Sequence, residues 1–103
     1  MLERDYKPQM LKRLEKRFSK YGPVRWQHND PNANGQQGIP DTTVFIGPFW
    51  VLLEVKRSEK SKKRPNQEWW ITKWGEVTFT AIIFPENEEE VFRAMESALA
   101  NRG

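Results

Sequence analysis

Residues 41–57 read DTTVFIGPFWVLLEVKR, two β-like runs, Asp41 to Ile46 and Phe49 to Arg57, separated by Gly47-Pro48. Glycine at the first turn position suits a type II′ hairpin, and proline can occupy the second. A two-residue turn pairs Ile46 with Phe49, so partners' numbers sum to 95 and Asp41 falls opposite Glu54. A symmetric four-residue loop from Ile46 to Phe49 keeps the same sum. Along the second strand, side chains alternate between two faces. Val51, Leu53 and Val55 share one; Trp50, Leu52, Glu54 and Lys56 share the other. Cross-strand partners point to one face with Cβ atoms roughly 4.5–5.5 Å apart. Two carboxylates and an ammonium are therefore expected at one spot. The register carries this expectation, because a slip of one residue sends Asp41 to the opposite face.

Two carboxylates that close repel each other unless something compensates. A divalent cation is the natural compensation, and oxygen ligands favour Mg²⁺ or Mn²⁺ over zinc. Lys56 beside such a site is suited to orienting a water or to stabilising charge on a phosphate. The bland alternative is a solvated salt bridge between Lys56 and the two acids.

Working outward, Asp5 to Tyr21 reads as an amphipathic helix. Tyr6, Met10, Leu11, Leu14, Phe18 and Tyr21 recur at helical spacing, and Gly22 is placed as the stop. Pro8 fits only if it lies in the first turn. Val24 to Gln27 is a short strand, and Asn29 to Gly38, rich in Asn, Gly, Pro and Gln, is a loop. Beyond the hairpin, Ser58 to Pro65 is a charged loop and Asn66 to Trp74 a short helix ended by Gly75. Val77 to Phe84 reads as a strand buried at Ala81-Ile82-Ile83. Asn87, with Glu90 three residues on, has the pattern of a capping box for a last helix whose stripe is Val91, Met95, Ala98 and Leu99. The order α-β-β-β-α-β-α predicts an α/β (α+β) layer structure, with residues 1–103 as one domain.

Composition narrows the chemistry. The 103 residues contain no cysteine and one histidine, His28. Thiol nucleophiles, disulfides and cysteine-ligated zinc or iron–sulfur sites are thereby excluded, and His-pair metal sites with them. The longest apolar run, Phe49 to Leu53, is far short of the roughly 20 residues that span a bilayer. A charged N-terminus from Glu3 onward predicts no signal peptide and a cytosolic protein. Net charge is +3. Its distribution says more: Lys56, Arg57, Lys60, Lys62, Lys63 and Arg64 crowd the segment after the acidic strand, a position suited to phosphate contact. Trp69, Trp70 and Trp74 are expected mainly in the core, with Trp69 the candidate for stacking on a ligand if one is exposed. His28 is expected to make loop hydrogen bonds, and Asp30 to be a turn residue.

Pro40-Asp41 followed by Glu54-Val55-Lys56 resembles the PD-(D/E)XK nuclease signature. With Gly38-Ile39 before it, Leu53 and Arg57 around it and Pro65-Asn66-Gln67 after it, the pattern is similar to the VRR-NUC branch and related small phage-type nucleases. The likeness extends over nearly the whole chain, including the first helix and the Phe84-Pro85-Glu86-Asn87 corner. It implies a restriction-endonuclease-like αβββαβ core with an added C-terminal helix. It also implies that Asp41, Glu54 and the main-chain carbonyl of Val55 bind Mg²⁺ or Mn²⁺, that Lys56 is catalytic, and that Gln67 lies near the site. The family carries an acid on its first helix, here Glu3 or Glu15. Glu3 projects into the apolar stripe and Glu15 toward the polar side, so Glu3 is preferred.

Small members of this type resemble Holliday-junction resolvases, which implies branched DNA as the partner, products with 5′-phosphate and 3′-hydroxyl ends, and a homodimer, since symmetric incision needs two sites. The rivals are a flap, nicking or non-specific DNA nuclease, and a DNA-binding module that keeps the fold without cutting. RNA binding has less support, because no RNA-recognition motif is present.

Overall fold

The computed structural model describes residues 2–30, 38–61 and 66–101. In chain order these form α1 (Glu3–Phe18), β1 (Val24–His28), β2 (Thr42–Ile46), β3 (Phe49–Val55), α2 (Gln67–Gly75), β4 (Thr80–Ile83) and α3 (Glu88–Ala100). The sheet runs β1-β2-β3-β4, antiparallel over its first three strands. β4 lies parallel to β3, an arrangement that needs the crossover α2 provides. This is the α-β-β-β-α-β order and last helix expected from the sequence, a mixed sheet with helices in an α+β, restriction-endonuclease-like core.

The hairpin decides the register. Gly47 has φ +58°, the left-handed value that position demands and an L side chain resists. It also meets other backbone: a Cβ there would lie 2.9 Å from the Tyr21 carbonyl oxygen. Gly47 N–H donates to Pro23 C=O at 2.8 Å, pinning the turn to the segment that leaves α1. Ile46 pairs with Phe49, Val44 with Val51 and Thr42 with Leu53, so each pair sums to 95 as the turn requires.

From Val51 to Val55 every residue of β3 is buried. Val51, Leu53 and Val55 join Val24, Val44, Ile46 and Ile83 in the main core, against Tyr6, Met10, Leu14 and Phe18 of α1 and Phe92, Met95 and Leu99 of α3. Leu52 and Glu54, on the other face, are buried too, so this strand is covered on both sides. A carboxylate in such a strand needs partners, and its surroundings supply them.

Several local expectations are corrected. α1 begins at Glu3, two residues early, and passes into a 3₁₀ turn, Ser19–Tyr21, before Gly22. Pro8 therefore lies inside the helix and not in its first turn; it is exposed, so the missing hydrogen bond falls on the wet side. β4 is limited to Thr80–Ile83, where pairing with Leu52 to Val55 exists, and only Ile83 of the three expected residues is fully buried. Asn87 does not cap α3 with its side chain. Its Oδ1 accepts from Phe84 N–H at 2.8 Å and its Nδ2 donates to Ile82 C=O at 2.9 Å, tying the corner back to β4. Trp69 is 54% exposed, while Trp70 and Trp74 are half-buried. No described helix is long and apolar enough to cross a membrane.

The acidic start of α3 serves a tertiary purpose. Glu88 accepts two bonds from the Arg13 guanidinium, at 2.7 and 2.8 Å, and one from the Tyr6 hydroxyl at 2.7 Å. Arg17 bridges Glu89 at 2.6 Å and Glu96 at 2.8 Å. The bonds from Arg17 hold the Glu89 carboxyl down, from 4.5 to about 2. Burial pushes Glu88 up, but the bonds from Arg13 and Tyr6 outweigh it and hold its carboxyl below the ordinary range. Bonding to Arg17 lowers Glu96 likewise. Because these pKa values are lower folded than unfolded, the unfolded chain takes up protons first as the solution is acidified. Stability is expected to be level above about pH 5 and to fall between about pH 4.5 and 2. Urea midpoints across that range should fall less in Glu88→Gln/Glu89→Gln than in the parent, and equal slopes would refute the linkage.

Candidate active site

Asp41 lies one residue before β2, opposite Glu54 by continuation of the register. Its N–H donates to Glu54 Oε1 at 3.1 Å. Its side chain turns across the end of β3, where the carboxylate accepts from Val55 N–H at 3.2 and 3.4 Å and from the Thr42 hydroxyl at 2.7 Å. The two acids thus converge at the strand ends, each accepting from a main-chain N–H beside the other. Backbone N–H groups are strong, charge-assisted donors to a carboxylate.

Lysines complete the corner. Lys56 Nζ lies 3.3 Å from Glu54 Oε2, with only 12% and 5% of the two side chains exposed. Lys7 Nζ, from α1, lies 3.5 Å from Asp41 Oδ1, with 15% and 22% exposed. Among the described residues, each acid thus has an ammonium within 3.5 Å, Lys56 for Glu54 and Lys7 for Asp41. The donor chemistry still fits a hard divalent cation. All donors are oxygens, and a carboxylate has about four lone-pair positions, of which the bonds described occupy part. In a strand the N–H and C=O of one residue point to the same side, so the Val55 carbonyl opens toward Asp41, where its N–H is bound. Among the described residues no group of three or more His, Asp or Glu side chains gathers that could hold a metal.

Asn29 and Gly38 position Asp41 from outside. Asn29 N–H donates to Asp41 C=O at 2.7 Å, and its side-chain amide donates to Pro40 C=O at 3.0 Å and Thr43 Oγ1 at 2.8 Å. Gly38 has φ +79°, and a Cβ there would collide with the Trp70 indole. Half-buried Trp70 of α2 therefore presses on the loop that delivers Asp41 and is not part of the core cluster, where it was expected. Gly38→Ala should cost about 2–3 kcal/mol in urea unfolding, from the left-handed backbone and overpacking together. A loss below a few tenths would show that the loop yields freely.

Of the residues singled out from sequence, the structure brings together Asp41, Glu54, Val55 and Lys56. Gln67 is the first residue of α2 and is 4% exposed. Arg57 and Lys60 are exposed in the loop after β3, while Lys62, Lys63 and Arg64 lie outside the described residues. Glu3 opens α1, but its side chain lies outside them as well; Glu15 is exposed on the same helix. His28 ends β1, exposed, and is not part of a loop. Sequence reasoning missed Lys7 and Asn29. For Lys7 a signal existed: at 100° per residue it projects within about 20° of Leu14 and Phe18, the centre of the apolar stripe.

No family model and no curated protein matches the sequence. Two solved structures are similar in fold. One, described as "VRR_NUC domain", is 18% identical, covers 93% of this chain and 97% of its own, and superposes with a TM-score of 0.62. Another, "VRR_NUC domain protein", is 14% identical, covers 90% and 87%, and gives 0.53. The chain has a VRR-NUC-like fold.

Proposed function

We propose that this protein is a metal-dependent DNA endonuclease that hydrolyses phosphodiester bonds at the corner formed by Asp41, Glu54 and Lys56. The observation that carries the reading is the meeting of two acids, at least one deeply buried, with Lys56 at the end of the central hairpin of a VRR-NUC-like fold. Burying charged groups together is costly, which makes such a cluster a candidate functional site.

Asp41, Glu54 and the Val55 carbonyl are the groups that would hold Mg²⁺ or Mn²⁺. Bound there, the ion would offset phosphate charge and make a water more acidic. Lys56 offers its ammonium to a non-bridging phosphate oxygen or to the attacking water. Lys7 keeps the Asp41 carboxylate in place, and Arg57 and Lys60 reach toward neighbouring phosphates. Gln67 and a helix acid, Glu3 or Glu15, are further candidates on the likeness alone. Branched DNA, such as a four-way junction, is the proposed substrate, cut by a homodimer in the cytosol to leave 5′-phosphate and 3′-hydroxyl ends.

A DNA-binding module without catalysis is the second reading, favoured by the ion pairs that Asp41 makes with Lys7 and Glu54 with Lys56. Incubating labelled four-way junction, flap and linear duplex with Mg²⁺, Mn²⁺ or EDTA separates the readings. Cutting confined to the metal arms supports the nuclease, and its order of preference names the substrate. Binding without cutting in every arm would leave only the module.

A further inference from the structure

A groove of about 550 Å³ runs between α1 and β1. That volume lies in the range of small-molecule sites. Its apolar lining comes from Pro8, Leu11 and Trp26, and its charged lining includes Arg4, Lys7 and Lys12, with Glu15 the acid among them. Trp26 is half-buried on β1, and Arg4 and Lys12 are exposed on α1. Lys7 belongs to both places: it lines the groove, and its ammonium contacts Asp41. The groove therefore shares a lining residue with the candidate active site.

An indole and aliphatic carbons between cationic side chains suit one ligand chemistry, a flat apolar ring carrying phosphates. A base can lie on Trp26 while Arg4 and Lys12 meet the phosphates on either side of it. Paired bases are stacked inside a duplex and cannot enter, whereas an unpaired nucleotide can. A second copy of this chain fits poorly, because the same positive rim would face itself.

We propose that this groove binds an unpaired nucleotide of the DNA strand that leads into the Asp41 and Glu54 corner. The proposal rests on the nuclease reading only for the identity of the strand. It predicts a preference for DNA with a single-stranded arm over fully paired DNA, located in Trp26, Arg4 and Lys12.

Fluorescence anisotropy in EDTA, with labelled arm-bearing DNA and a blunt duplex of equal length, measures that preference without cutting. The parent is expected to bind the arm-bearing DNA about tenfold more tightly, the scale of one stacked base. Trp26→Ala and the surface pair Arg4→Glu/Lys12→Glu should each bring the ratio close to one, and Trp26→Phe should keep most of it. A ratio of one in the parent, or a ratio untouched by the Arg4 and Lys12 changes in a chain with parental circular dichroism, overturns the groove. Loss of dimer in those variants with the ratio intact overturns it as well, in favour of a subunit contact. Absence of cutting in Mg²⁺ alongside a ratio that collapses in the variants would sink the nuclease reading and leave the groove standing.

Discussion

Asp41→Asn is expected to lower Mg²⁺-dependent cutting by about a thousandfold or more, equivalent to roughly 4 kcal/mol of barrier. The substitution is nearly isosteric. An amide oxygen can still accept from Val55 N–H or Thr42, so the corner should keep its shape. What disappears is the negative charge, together with the partner of Lys7. The effect should therefore appear mainly in the rate at saturating DNA, with little change in affinity; losing the charge opposite Lys7 should also lower the urea midpoint, though less than in Glu54→Ala because the amide keeps the hydrogen bonds. Rates within threefold of the parent, in a chain that is folded under the assay conditions, would remove Asp41 from the chemistry.

Glu54→Ala should damage both folding and cutting. Glu54 is 4% exposed, accepts from Asp41 N–H and faces Lys56. Removing it leaves a nearly buried ammonium without its carboxylate, a change that typically costs about 3–5 kcal/mol. Total stability of a 103-residue domain is about 5–15 kcal/mol, so the variant should lose a large share of it. The double variant Glu54→Leu/Lys56→Met removes both charges and keeps the volume. It should regain most of the lost stability while cutting stays at background. Urea unfolding and a junction-cleavage assay on the same three proteins check this. A double variant that cuts would show that the pair is only a structural salt bridge.

The two outcomes bear on different properties of one corner. Asp41 reaches it from the loop before β2, held there by Asn29, Thr42 and the Trp70 contact on Gly38. Glu54 reaches it from the middle of the sheet, where burial raises the cost of any unpaired charge. The first is therefore expected to act mainly on rate, and the second on rate and stability together.

Local chemistry in the chain determined the hairpin and, through it, which acids meet. A glycine forced to positive φ followed by a proline allows few turns, and a two-residue turn leaves one register. The pairing of positions 41 and 54 then follows by arithmetic. The apolar stripes of α1 and α3 were legible for the same reason, because their periods are set within one element. Tertiary structure alone decided how the charges are compensated. That the neutralising ammonium on Asp41 comes from Lys7, 34 positions earlier, depends on how α1 lies across the sheet. A lysine in the centre of an apolar stripe marks an inward charge, but the helix does not say which carboxylate it will find. The fate of Asn87 has the same origin: the capping pattern was present, yet the Ile82 carbonyl and Phe84 N–H stood within its reach. Short-range patterns specify elements and register because the competing conformations are local and few. Partners across the fold are chosen by distances that exist only once the layers have packed.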